Sequence, residues 1–236
     1  GGSSSEFLSS IQQTSDGGYI LGGYSSSGIS GDKTEASMGY DYWVVKLDST
    51  GLIEWQNTIG GSFDDHLAGI SITTDGGYIL SGWSYSGISG DKTEASLGGA
   101  DYWIVKLNNM GFIEWDNTIG GNSGDIPQAI DQTSDGGCII GGFSYSGISG
   151  DKTEGNIGLG DYWVIKLSNT GVLQWQNTMG GSEFDGLSSI QQTSDGGYIV
   201  GGSSQSGISG DKTEENLGFY DYWVVKLNNI GIIEWD

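Results

Sequence analysis

The phrase Asp101-Tyr102-Trp103-Ile104-Val105-Lys106-Leu107, continued by Gly111-Phe112-Ile113-Glu114-Trp115, opens again at Asp41, Asp161 and Asp221, so it recurs every 60 residues. A period of this length constrains the fold more than any local signal, because each copy must be a unit that stacks on its neighbours. The units are residues 1–59, 60–119, 120–179 and 180–236, and the first is one residue short between Glu35 and Asp41.

Each unit holds four strand-like runs, in the second unit Leu67–Thr73, Tyr78–Ser84, Tyr102–Asn108 and Phe112–Thr118, bounded by Gly, Asp, Asn or Ser. No segment sustains a 3.6-residue period, so almost no helix is expected. Asp75-Gly76, repeated at Asp16-Gly17, Asp135-Gly136 and Asp195-Gly196, suits a two-residue hairpin with positive φ at both central positions. Asn109-Met110-Gly111 suits a three-residue loop ending in a left-handed glycine. That loop pairs Asn108 with Phe112, Lys106 with Glu114 and Val105 with Trp115, placing Trp103, Val105 and Leu107 on one face with Ile113 and Trp115. Lys46 then meets Glu54, Lys226 meets Glu234, and Lys166 meets Gln174. Eight of the nine Trp fall two per unit at these positions and read as core rather than as a sugar platform.

A single four-stranded sheet cannot bury both faces, whereas radial stacking of such sheets does. The expected fold is therefore all-β and β-propeller-like: four tandem four-stranded antiparallel blades in one repeat domain, residues 1–236. The pairs Gly22-Gly23, Gly141-Gly142 and Gly201-Gly202 suit close backbone approach.

With 30 acidic against 8 basic residues the formal charge is -22, which repels nucleic acid and anionic membrane. Cations, neutral glycans and basic protein patches remain as partners. Cys138, the single cysteine, fills the slot of Tyr19, Tyr78 and Tyr198, so neither an intrachain disulfide nor a cysteine zinc site is expected. No signal peptide is evident, and no apolar run reaches the roughly 18 residues of a membrane span. The chain opens at a unit boundary and stops inside the fourth unit, as a piece of a longer protein would.

The loop Ser86-Gly87-Ile88-Ser89-Gly90-Asp91-Lys92-Thr93-Glu94, followed by Asp101, carries the densest polar signal. Its carboxylates recur as Asp32, Glu35 and Asp41, as Asp151, Glu154 and Asp161, and as Asp211, Glu214 and Asp221. Calcium takes about six to eight oxygens, which a Gly-rich acidic loop can supply, so these twelve residues are candidate Ca2+ ligands. The plainer reading is that the two aspartates cap turns, the glutamate is solvated, Lys92 is a resident counter-charge and Ile88 anchors the loop. A second acidic slot, Glu6, Asp65, Asp125 and Asp185, reads as a solvated loop end.

His66 is the only histidine, so a Ser/His/Asp or two-histidine metal site is unsupported. A hydrolase at Asp64, Asp65 and His66 is the weakest of three readings, and the chain is expected not to be an enzyme. Two slots vary between units: Tyr24, Trp83, Phe143 and Ser203 after the second strand's glycines, and Tyr40, Ala100, Gly160 and Tyr220 before Asp-Tyr-Trp. Their aromatics, Tyr24, Trp83, Phe143, Tyr40 and Tyr220, are candidate ligand contacts, with ordinary packing as the alternative.

Asp161–Leu167, Gly171–Trp175, Thr178–Ser182 and Gln192–Ile199, with their copies, resemble the tandem repeats of surface proteins in many bacteria and some archaea. The resemblance covers the whole chain and implies a secreted or cell-surface β-propeller-like region of adhesin-like proteins, with no catalytic residues to carry over. The expectation is an extracellular, non-enzymatic structural or adhesion protein, a building block of a larger surface assembly or filament. Self-association or contact with other surface proteins would follow. The alternative is a glycan-binding propeller, with calcium as a candidate cofactor.

Overall fold

A computed structural model describes residues 1–236 and contains sixteen strands and no helix. The first blade is β1 (Glu6–Gln13), β2 (Tyr19–Ser25), β3 (Asp41–Leu47) and β4 (Ile53–Ile59). The second is β5 (Asp65–Ile72), β6 (Tyr78–Ser84), β7 (Asp101–Leu107) and β8 (Ile113–Ile119). The third is β9 (Asp125–Gln132), β10 (Cys138–Ser144), β11 (Asp161–Leu167) and β12 (Leu173–Met179). The fourth is β13 (Asp185–Gln192), β14 (Tyr198–Ser204), β15 (Asp221–Leu227) and β16 (Ile233–Trp235). Each blade is a four-stranded sheet in chain order. The fold is all-β and propeller-like, as the repeat predicts.

The chain forms two compact units, Gly1–Ser96 with Tyr102–Thr118, and Leu97–Asp101 with Ile119–Asp236. Unit 1 buries a core of Ile20, Tyr42, Val44 and Ile59 from the first blade against Leu67, Ile70, Leu80, Trp103, Val105 and Leu107 from the second. Unit 2 repeats this position by position, with Ile139, Tyr162, Val164 and Met179 against Leu187, Ile190, Val200, Trp223, Val225 and Leu227. Within each unit one blade offers one face of its sheet and the next blade offers the other. Cys138 is fully buried and its thiol is pushed up to about 12 by burial, as an apolar filler should be.

Two local expectations are corrected. The Asp-Gly turn is not a two-residue hairpin: no non-glycine residue has positive φ, and in these turns the glycine alone, Gly17, Gly76, Gly136 or Gly196 (φ +84°), is left-handed. Gly17 N–H donates to the Thr14 carbonyl at 3.0 Å and Thr14 N–H to the Gly18 carbonyl at 2.9 Å, so the loop has three residues, like that after β3. Asp16 stays right-handed because its carboxylate accepts the Gly18 N–H at 2.9 Å.

The second correction concerns the tryptophans. Leu47 pairs with Ile53, but Lys46 then pairs with Trp55, so Glu54 is bulged out of register. The same bulge sets Trp175 opposite Lys166 and Trp235 opposite Lys226. A one-residue slip moves a side chain to the other face, so the two tryptophans of a blade lie on opposite faces rather than together. The result serves stacking: Trp55 meets Tyr78 of the next blade edge-on at 5.8 Å, and Trp175 meets Tyr198 at 5.5 Å.

Candidate functional site

The loop between a blade's second and third strands turns sharply at a left-handed glycine, Gly31 in the first blade (φ +57°). A bridge between Ser30 and Lys33, repeated at Ser89 with Lys92, Ser149 with Lys152 and Ser209 with Lys212, aims the lysine inward. These lysines are no more than 4% exposed, whereas Ile29, Ile88, Ile148 and Ile208 are at least 61% exposed. The loop is thus anchored by its lysine and not by its isoleucine. The lysine stem packs along apolar surface and its head finds a ring and a hydroxyl. Lys33, Lys92 and Lys152 lie 5.7, 5.2 and 5.4 Å from the ring centroids of Trp43, Trp103 and Trp163. Lys152 Nζ also donates to Thr178 Oγ1 at 2.5 Å.

The candidate calcium ligands are not brought together. Asp91, Asp151 and Asp211 accept the N–H of Gly60, Gly120 and Gly180 at 3.1, 3.2 and 3.2 Å, and Asp32 takes the terminal amine of Gly1 at 2.6 Å. Glu35, Glu94 and Glu154 accept the N–H of Thr58, Thr118 and Thr178 at 2.7, 2.8 and 2.8 Å. The glutamate is therefore a backbone acceptor rather than a solvated charge, while Glu214 takes the Lys212 ammonium on its backbone carbonyl at 2.8 Å. Asp41, Asp101, Asp161 and Asp221 accept the N–H of Met38, Leu97, Ile157 and Leu217. No three His, Cys, Asp or Glu residues stand close enough to hold a metal ion.

The second acidic slot is corrected as well. Asp65, Asp125 and Asp185 are fully buried, each accepting a glycine N–H at 2.6 to 2.7 Å. Burial pushes Asp41 up to about 6, opposed by the Met38 N–H and reinforced by Asp65. Asp161 is likewise pushed up to about 6, opposed by the Ile157 and Gly158 amides and reinforced by Asp185.

Beside this acid-lined end of unit 1 lies an aromatic cluster. Phe7 stacks on Tyr24 at 5.0 Å, Tyr24 meets His66 at 4.3 Å, Tyr40 meets His66 at 5.3 Å, and His66 stacks on Trp83 at 5.0 Å with a 4° interplanar angle. Three of the five candidate ligand aromatics are thus gathered. The other two lie in separate clusters of unit 2, Phe143 with Tyr145 and Phe184, and Tyr220 with Phe219. Phe7 and His66 were not among the candidate ligand aromatics, although strand register sets them opposite Tyr24 and Trp83. His66 is half-buried, which lowers its pKa, and its Nδ1 has no partner. The cluster offers flat apolar rings at strand ends, a surface on which planar or sugar-like faces can stack.

No protein-family model matches the sequence, and no curated protein matches it. Among solved structures, a protein of unknown function from Bacteroides caccae is similar over 98% of this chain and 81% of that one, at 11% identity and a TM-score of 0.35. Two mutants of the Synechocystis apocarotenoid oxygenase are each similar over 94% of this chain, at 14% identity and a TM-score of 0.48. This chain spans about half the length of that enzyme, 48%. The expectation of a non-enzyme is overturned here, since an enzyme of propeller-type fold stands among the similar structures. A fold hosts unrelated functions, so a repeated scaffold without a histidine pair does not speak against catalysis, and the oxygenase's chemistry is not carried to this chain.

Proposed function

We propose that this chain is an extracellular, cell-surface structural and adhesive repeat protein, a building block of a larger assembly made with further copies or with other surface proteins. The observation that carries this is how the repeated polar residues are used. The recurring aspartates and glutamates cap backbone amides, Asp32 and Glu214 excepted, and the recurring lysines are buried beneath the loop. The chemistry that recurs is construction, and repetition of construction is how stacked architectures extend. The test is the mass of the full chain across concentration, measured by analytical ultracentrifugation. Species larger than one copy, growing with concentration, are expected; a single copy at every concentration, with no binding to isolated cell-surface material, overturns the reading.

A second reading is favoured by one observation, the gathering of Tyr24, Tyr40 and Trp83 with Phe7 and His66. On it the cluster binds a glycan, with calcium as a candidate cofactor. A glycan array probed in calcium and again in chelator tests it. Binding lost in Trp83→Ala supports it, and silence in both conditions removes it.

A further inference from the structure

The blade-to-blade interface is made once in each unit from the same residues. The Tyr42 hydroxyl donates to the Trp103 backbone carbonyl at 3.0 Å with ring centroids 4.8 Å apart, and Tyr162 repeats this on Trp223 at 3.1 and 4.8 Å. Leu67 and Ile70 fill the space over Gly22, where an added Cβ would overlap Ile70 Cδ1. Leu187 fills the space over Gly141, where a Cβ would meet its methyl carbons at 2.8 and 2.9 Å. Each interface therefore joins a socket half (glycine, tyrosine and the fourth-strand tryptophan) to a plug half (leucine, isoleucine and the third-strand tryptophan).

The same halves recur, uncovered, on the fourth and first blades. On the fourth blade Tyr222 is 94% exposed and Trp235 53%, while Tyr42, the counterpart of Tyr222, is fully buried and Trp55, the counterpart of Trp235, is half-buried. On the first blade Leu8 is 64% and Ile11 57% exposed, while Leu67 and Ile70 are 1% and 2% exposed. Contiguous apolar surface of this kind marks an interaction site. Its partner must supply leucine and isoleucine knobs for a glycine hole and a backbone carbonyl for a tyrosine hydroxyl, which the first blade of another copy presents.

We propose that the socket on the fourth blade docks head to tail on the plug of a second copy of this chain. Tyr222 Oη donates to the Trp43 carbonyl, Trp235 meets Tyr19, and Leu8 and Ile11 seat over Gly201. The surfaces differ on the two partners, so the contact is heterologous and either propagates or closes into a ring. The proposal rests on the self-assembling reading above and adds its direction and residues. A formal charge of -22 on each copy opposes association, so assembly strengthens with salt.

The experiment is sedimentation of the full chain at low and high salt, beside Gly201→Val, Tyr222→Arg and Leu8→Arg. A Cβ at Gly201 meets only its own blade, Trp223 O at 3.6 Å and Val224 Cγ2 at 3.7 Å, so Gly201→Val leaves the free chain intact. Self-association at least about tenfold weaker is expected in each variant, a loss of about 1.4 kcal/mol or more. Tyr222→Arg mixed with Leu8→Arg should form one-to-one pairs that neither forms alone, since each retains one half. If the wild type assembles and the variants assemble equally well, the head-to-tail interface is overturned and the self-assembling reading stands. A wild type that stays a single copy removes both, and Tyr222 shielded from tetranitromethane in that single copy would show the two halves meeting within one chain.

Discussion

The two ends of a blade use the same residue types to opposite effect. At the hairpin end, Lys46 donates to Asp16 at 2.9 Å and to Glu54 at 2.7 Å, and both carboxylates face solvent. There the Thr14 hydroxyl, Lys46 and the Gly18 amide hold Asp16 well below the usual carboxylate range. In the third blade, Thr133, Gly137 and Lys166 outweigh burial and hold Asp135 at about 2. At the loop end, Asp41 and Asp161 are buried with too few donors and are pushed up to about 6. Lys152, buried near Asp161 and Asp125, is pushed down by that burial to about 8, with Asp125, Asp161 and Glu154 opposing the shift. What differs is access to water and the number of donors, since a carboxylate in water with three donors is stabilised as an anion and one sealed among carboxylates is not. The hairpin end is cohesive as a set of ordinary ion pairs. The loop end holds charge under cover, where removing one partner strands the others.

The largest effect expected from this contrast is at Lys152. Lys152→Ala leaves Asp125 and Asp161 buried without their nearest counter-charge and costs about 3–5 kcal/mol, read as a fall in urea midpoint. A loss below about 1 kcal/mol would mean that the loop end is as solvated as the hairpin end, and the contrast would break.

The second effect is in pH. Asp41 and Asp161 have folded values above the unfolded value of about 4, so their contribution is full below pH 4 and is lost as pH rises through about 6. Asp135 runs the other way: its contribution is present above about 4 and is lost as pH falls through about 2. Stability should therefore rise from pH 7 toward about 4.5 and fall below about 3, by about 1–2 kcal/mol per buried carboxyl after screening. Urea melts in high salt, which screens whole-chain repulsion, are the measurement. A flat profile between pH 7 and 5 would count against the buried pair, and Asp41→Asn should remove part of the rise.

The architecture was legible because turn residues bound every strand and the period supplied the copies. Tyr78–Ser84 is found as read, and the other strands of the second unit lie within two residues of the expected ends. The bulge at Glu54 was not legible, because loop length alone carries no sign of a skipped residue in the following strand. Burial of Lys33 and exposure of Ile29 invert the usual partition, and only the turn at Gly31 decides which side chain points inward. Tyr24, Tyr40 and Trp83 stood out because they vary among near-identical units. Phe7 and His66 vary too, but their meaning depends on being paired across the sheet with Tyr24 and Trp83.

The smallest effect expected is at Glu54. The third blade has already made the change: Gln174 stands in this slot and accepts from Lys166 at 3.1 Å, while Asp135 keeps its own bond to the same ammonium at 3.0 Å. Glu54→Gln should leave Lys46 held by Asp16 and by the Leu47 carbonyl at 3.0 Å. Glu54 faces solvent although Lys46 is buried, and the ammonium keeps two other acceptors, so the cost should be about 0.5 kcal/mol or less, and smaller still in high salt. Measured beside Lys152→Ala, the pair of variants sets the scale of the difference between the ends. A Glu54→Gln cost above about 2 kcal/mol would mean that the hairpin-end carboxylates are not solvated in solution, because only a desolvated pair loses that much when one partner is neutralised.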